Sequence, residues 1–297
     1  TSEKSTKFMK DLAWGLSSQG VMMMRFNKPA FQLNDYYVNA DLTDCENELA
    51  LLQFLALDID IENDFINAGF AAFNYAYNYT LTNNLLDTSR VYLGGHSFAA
   101  QFAPYMCSKV ESALAGCVVL AATTGTFLDL FPWQIYYLGG DKRFEYPDVI
   151  NASMPYYDLL RNPWLEGDMV TQDSIMNPGS LGNNFFLSMR PFLSAPEQVQ
   201  AIGIPVIVAQ GTADYNVPYF DVTDNVATLP SGLKKNLGYA LPTFLTPGGW
   251  NDTFSGSSRV SLKVYPELCH CFWRAPINEY GLSSGNYFDG LYHVNQS

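Results

Sequence analysis

The sequence predicts an α/β domain with a doubly wound, mostly parallel sheet and an inserted helical cap, on three grounds. Short, near-continuous apolar runs alternate with helix-compatible segments; Gly95-His96-Ser97-Phe98-Ala99 lies between one such run and a helix; and residues 123–198 have a separate, aromatic-rich texture. With 297 residues, 48% hydrophobic and 15% charged, the chain is long enough for a sizeable core and lacks the composition of disorder.

In chain order, Phe8 to Gln19 carries Phe8, Met9, Leu12, Ala13 and Leu16 at helical spacing, with Gly20 as a stop. Val21 to Phe26 then reads as a buried strand, followed by a loop rich in asparagine and tyrosine. Glu46 to Asp58 is expected to form a short helix, and Asp64 to Tyr77 a longer one with Phe65, Ile66, Ala68, Phe70, Ala71 and Phe73 as its apolar residues. Asn83 to Ser89 connects into a strand over Arg90 to Leu93, and the pentapeptide at Ser97 leads into a helix.

Gly116 to Ala122, Ile204 to Gln210 and Val260 to Tyr265 are apolar strands, the first two near-continuous as in a parallel sheet covered on both faces. Thr123 to Gln198 is rich in Phe, Tyr, Trp, Pro and Asn without a clear strand. It is expected to cap the carboxyl ends of the strands, where open α/β sheets bind ligands. The expected division is therefore 1–122 for the first part of the core, 123–198 for the cap and 199–297 for the rest of the core.

A serine between two tiny residues at a sharp strand-to-helix turn is a nucleophile elbow, held in a backbone conformation that bulkier neighbours would block. The following helix aims its first N–H groups and its dipole at an oxyanion formed beside Ser97, with the Phe98 N–H as the assignable donor. Serine needs a base, and the base an orienting acid. The strand ending at Gln210 runs into Asp214, and the strand ending at Tyr265 runs into His270. A loop-capping aspartate and a surface histidine are the plainer readings of these two. Their order after the serine, each beyond its own strand, instead favours a triad of Ser97, His270 and Asp214. By strand alternation His96 points elsewhere and packs, and His293 has no assigned role.

Lys+Arg 16 against Asp+Glu 29 gives a net charge of −13, which repels nucleic acid and anionic membranes. No apolar stretch reaches the length needed to span a bilayer. Sequons at Asn78, Asn151, Asn251 and Asn295, with a low lysine content, point to a secreted or lumenal glycoprotein. The five cysteines, Cys45, Cys107, Cys117, Cys269 and Cys271, cannot all pair internally. Cys107 and Cys117 are near enough in the expected fold to form a disulfide, or else are two buried thiols. Cys269-His270-Cys271 lacks enough further histidines for a zinc site, so no metal is expected, and no cofactor either.

Three runs carry a resemblance. Asp87-Thr88-Ser89-Arg90-Val91-Tyr92-Leu93-Gly94-Gly95-His96-Ser97, Gln210-Gly211-Thr212-Ala213-Asp214-Tyr215-Asn216-Val217 and Tyr265-Pro266-Glu267-Leu268-Cys269-His270 resemble the elbow, acid and histidine segments of the α/β-hydrolase superfamily. Within it, they are most similar to its esterase and dienelactone-hydrolase-like branch, related to the prolyl-oligopeptidase catalytic domain. The segment from Phe8 to Val21 is similar to the helix and strand before the elbow in those esterases. The resemblance implies a serine hydrolase acting on a small-molecule carboxylic ester through an acyl-enzyme. It also implies earlier strands and a His-Gly loop giving a second oxyanion donor, which nothing in this chain matches. A missing or separate N-terminal segment that associates with the chain is the expected explanation. Two other readings are a catalytically impaired glycoprotein with a binding or structural role and, more weakly, a peptidase of the prolyl-oligopeptidase type.

Overall fold

A computed structural model describes residues 8–26, 60–84, 87–135 and 188–283. The chain divides into two compact units, one of Thr1–Met24, Asp87–Ser153 and Leu193–Ser297, the other of Arg25–Leu86 and Met154–Phe192.

The first unit is built on four parallel strands, β1 (Tyr92–His96), β2 (Gly116–Leu120), β3 (Val206–Gly211) and β7 (Val260–Tyr265), in the spatial order β1-β2-β3-β7. Helices alternate with these strands, so the α/β class and the mostly parallel sheet are as expected. Entry to β1 is set by Asp87, whose carboxylate accepts the Ser89 N–H at 2.9 Å and the Arg90 Nε–H at 2.7 Å across a 3-10 turn, Thr88–Arg90. The hydrogen bond from the Ser89 hydroxyl, foremost, holds the Asp87 carboxyl below the usual carboxylate range.

Strand alternation gives the sheet two unlike faces. Cys117, Val119, Val206 and Val208 lie on the tightly buried face, each at most 1% exposed. The helix after β1 (Phe98–Lys109) packs against β1 and β2. Tyr92 and Ile207 lie on the other face and are 55% and 41% exposed. This second face is covered toward the carboxyl ends of the strands, where Ala209 is buried and Leu120 packs against the cluster of Phe8, and is open at Tyr92 and Ile207, so the expectation of strands covered on both faces holds in part.

Helix α1 (Phe8–Ser18) ends as expected, with Gly20 at φ 75°. The buried strand expected at Val21 to Phe26 does not form. The segment is irregular, with Val21, Met22, Met24 and Phe26 between 41% and 52% exposed. An apolar run becomes a strand only with a partner for its backbone, and none of the four parallel strands pairs with it. Three short antiparallel strands that the sequence did not announce, β4 (Asp221–Thr223), β5 (Val226–Thr228) and β6 (Lys234–Asn236), form a separate sheet. The β4–β5 hairpin turns through Asp224 and Asn225, both in the left-handed region at φ 51° and 63°, as the tightest hairpin turn requires.

In the second unit, a π-helical turn (Ile61–Ile66) runs into α2 (Asn67–Asn83). This helix outlasts the expected end at Tyr77. The hydroxyls of Thr80 and Thr82 bond back to the carbonyls of Ala76 and Asn78 at 2.6 and 2.9 Å, and the helix stops only at left-handed Asn84. The helix expected over Glu46 to Asp58 lies outside the described residues, as do Cys45, Asn151, His293 and Asn295. No described helix is long and apolar enough to cross a membrane.

Candidate active site

Ser97 stands between β1 and the helix Phe98–Lys109, here α3, at φ 58° and ψ −123°. A non-glycine residue in that region costs on the order of 1–3 kcal/mol and persists only where its surroundings impose it. Two features impose it here. The Ser97 N–H is tied to the Leu120 carbonyl of β2 at 2.9 Å. A side chain at Gly95 would overlap the backbone of Ala99 and Ala100 at the start of α3. Phe98 is the first residue of α3, which places its N–H at the positive end of the helix. The Phe98 ring meets Phe102 and Phe127 edge-on, with centroids 5.1 and 5.0 Å away.

Asp214 is fully buried just beyond β3. Its Oδ1 accepts the N–H groups of Asn216 and Val217 at 2.8 and 2.9 Å, and its Oδ2 accepts Gln210 Nε2–H at 2.9 Å and His270 Nδ1–H at 2.8 Å. A buried carboxylate is tolerable when its lone pairs are taken up in this way. Gln210 is one residue that sequence reasoning missed. It is 1% exposed and also donates to the Val217 carbonyl at 2.9 Å, so a single amide fixes both the acid and its turn. The available signal was a polar side chain closing an otherwise apolar strand. Trp133 was missed too: from α4 (Phe127–Ile135) its indole N–H donates to the Tyr215 carbonyl at 2.8 Å, bracing the acid turn.

His270 is 4% exposed, in a loop after β7 that returns across the strand ends to β1. The loop is stapled to the acid turn. Thr212 N–H donates to the Tyr265 carbonyl at 3.0 Å, Ala213 N–H to the Leu268 carbonyl at 3.1 Å, and Glu267 N–H to Thr212 Oγ1 at 2.9 Å. Gly211 is needed at this crossing, since a Cβ there would overlap the Leu268 carbonyl oxygen. With Nδ1 committed to Asp214, Nε2 is the nitrogen that would take a hydroxyl proton.

His96 does pack, against Phe8 and Phe272 with ring centroids 4.6 and 6.3 Å away, in a cluster where those two rings also stack on each other at 6.0 Å, but it is not remote from the site. Its ring lies 4.7 Å from that of His270, and its Nε2–H donates to the His270 carbonyl at 2.8 Å. The residue before Ser97 is thereby joined to the histidine loop.

Cys107 and Cys117 come together as free, buried thiols, so the bridge that their spacing allows is not formed here. The Cys107 thiol donates to the Leu93 carbonyl at 3.8 Å, and its hydrogen bond with Cys117, then burial, raises its pKa. Cys269 and Cys271 are also free and buried, and burial pushes the Cys269 thiol up to about 11. No group of three or more potential ligands is placed to hold a metal among the described residues. Of the sequons, Asn78 and Asn251 are exposed and helical, the latter in the short helix Trp250–Phe254.

No family model matches the chain, and no curated protein does. Solved structures similar to it are esterases, a lipase and peptidases of the α/β-hydrolase superfamily. Est1E from Butyrivibrio proteoclasticus, solved with ferulic acid bound, is 12% identical with a TM-score of 0.45, over 91% of this chain and 78% of that one. A thermophilic esterase from Thermogutta terrifontis is 17% identical with a TM-score of 0.32, over 68% and 65%. The acylaminoacyl peptidase of Pyrococcus horikoshii is 9% identical with a TM-score of 0.32, over 68% of this chain and 23% of that one. Likenesses this slight carry no argument about chemistry, so the fold rests on the chain's own geometry. A parallel sheet with alternating helices, a strained serine between strand and helix, and acid and histidine loops beyond two later strands make this an α/β-hydrolase fold.

Proposed function

We propose that the protein is a serine hydrolase that cleaves small-molecule carboxylic esters through an acyl-enzyme. Ser97 Oγ attacks the ester carbonyl as His270 Nε2 takes its proton. The oxyanion is met by the Phe98 N–H, and the protonated imidazole then gives its proton to the leaving alcohol. Water repeats the sequence on the acyl-serine and restores Ser97. Asp214 keeps His270 in the tautomer with hydrogen on Nδ1 and stabilises the imidazolium. A second oxyanion donor is assigned to a segment outside the described residues, in this chain or associated with it. Secretion and glycosylation at Asn78 and Asn251 belong to the same proposal, supported by the exposure of both asparagines.

The observation that carries the reading is the buried 2.8 Å contact between His270 Nδ1 and Asp214 Oδ2, joined through His96 to an elbow serine at φ 58°. The test is hydrolysis of p-nitrophenyl acetate and butyrate by the wild type, Ser97→Ala and His270→Ala. Turnover by the wild type that falls by about 10³-fold or more in each variant is expected. Turnover that survives Ser97→Ala would reject the reading. A wild type without turnover would leave the binding glycoprotein.

A further inference from the structure

We infer that His96 is a positioning residue for His270, tying the base to the elbow through a main-chain hydrogen bond. The inference rests on the proposed triad for its catalytic meaning, but its geometry stands independently.

The histidine loop is not held by a strand ladder. It contains two non-glycine residues in the left-handed region, Glu267 at φ 61° and Phe272 at φ 55°, on either side of His270. A loop under such backbone strain keeps its shape only through specific ties. Its flanks have them. Cys269 N–H donates to the Trp273 carbonyl and Phe272 N–H to the Cys269 carbonyl, both at 2.9 Å, while the Leu268 carbonyl receives the Ala213 N–H. The carbonyl of His270 itself, at the apex, receives His96 Nε2–H at 2.8 Å. A carbonyl can only accept, so the hydrogen of His96 is on Nε2.

The ring that makes this bond is itself fixed. His96 is the last residue of β1, in register with Leu120 of β2. Its imidazole lies against Phe8 of α1, and Phe272 meets both rings. Phe8 is 6% exposed and packs in one cluster with Cys269, Cys271 and Trp273, so α1 supports the same loop from outside. The consequence is a short mechanical link from nucleophile to base. Ser97 is anchored to Leu120, His96 is bonded to Ser97 through the chain, and His270 hangs from His96 on one side and Asp214 on the other. A general base is effective when its placement is held to fractions of an ångström, because small misplacements from the reacting geometry lower the rate.

Two variants separate the hydrogen bond from the packing. His96→Phe keeps a ring against Phe8 and Phe272 and removes the donor, whereas His96→Gln offers an amide N–H near the position of Nε2. For ester hydrolysis, His96→Phe should lower kcat by about 3–10-fold with KM changed less than about twofold, and His96→Gln should recover most of that loss. The second readout does not need turnover: the low-field proton resonance of His270 Nδ1–H should be present in the wild type and His96→Gln, and exchange-broadened in His96→Phe. If the wild type hydrolyses no ester, the proposed activity fails and the resonance alone decides the positioning role. An unchanged kcat and an unchanged resonance in His96→Phe would overturn the inference. So would equal impairment of both variants in proportion to a lowered Tm.

Discussion

The carboxylate of Asp214 shows how much of the site is decided by single hydrogen bonds. Two backbone N–H groups, one amide and one imidazole saturate it in a fully buried position, where a lost donor would leave a lone pair without water to replace it. Gln210→Met, of similar volume, removes the amide donor and leaves the Val217 carbonyl without it. A hydrogen bond to a charged group contributes about 1.5–3 kcal/mol, so kcat/KM should fall by about 10–100-fold. Asp214→Asn should be worse, by about 10⁴-fold in kcat, because it favours the wrong tautomer of His270. Steady-state kinetics on p-nitrophenyl butyrate measures both. The thiols give an independent check. Burial holds Cys269 neutral at pH 7, with a pKa of about 11, and Cys107 is raised as well, so neither supplies thiolate below that range. Native protein should leave both unlabelled by iodoacetamide at pH 7.5, and peptide mapping after unfolding should find them alkylated. Ser97, Asp214 and His270 were legible as candidates because each follows a strand in a fixed order. Gln210 and His96 were not, since their partners lie across a turn or a loop and no local pattern records that.

Among the elements, the critical junction is where β3 meets the histidine loop. Gly211 there admits the Leu268 carbonyl, and Gly211→Ala should push the acid turn and the loop apart. Overpacking of this kind costs about 1–3 kcal/mol. Denaturant unfolding should show a lower midpoint with little change in slope, and ester turnover should fall at the same time. The four parallel strands were legible from short apolar runs, most cleanly Val260–Tyr265, whose ends match the expected strand. Two features were not. Val21 to Phe26 has the composition of a strand, yet composition cannot say whether a pairing edge is at hand. The hairpins between Asp221 and Asn236 rest on strands too short to show alternation.

For the whole molecule, the α/β architecture follows from the alternation of apolar runs and helices, while the half-open sheet face at Tyr92 and Ile207 does not. A sequence shows which residues are apolar and leaves open whether something covers them. The net charge of −13 acts over the entire surface. It should slow encounter with anionic esters at low salt, where the screening length is about 30 Å, and matter less at about 0.15 M, where it is about 8 Å. The kcat/KM of a hemisuccinate ester should therefore rise with ionic strength, and that of a neutral acetate ester should stay nearly flat. The central claim, that this fold presents Ser97 as an activated nucleophile, is most directly tested by a fluorophosphonate probe followed by intact-mass and peptide analysis. One equivalent of probe on Ser97, lost in His270→Ala, is the result expected; an unlabelled Ser97 in the folded wild type would contradict it.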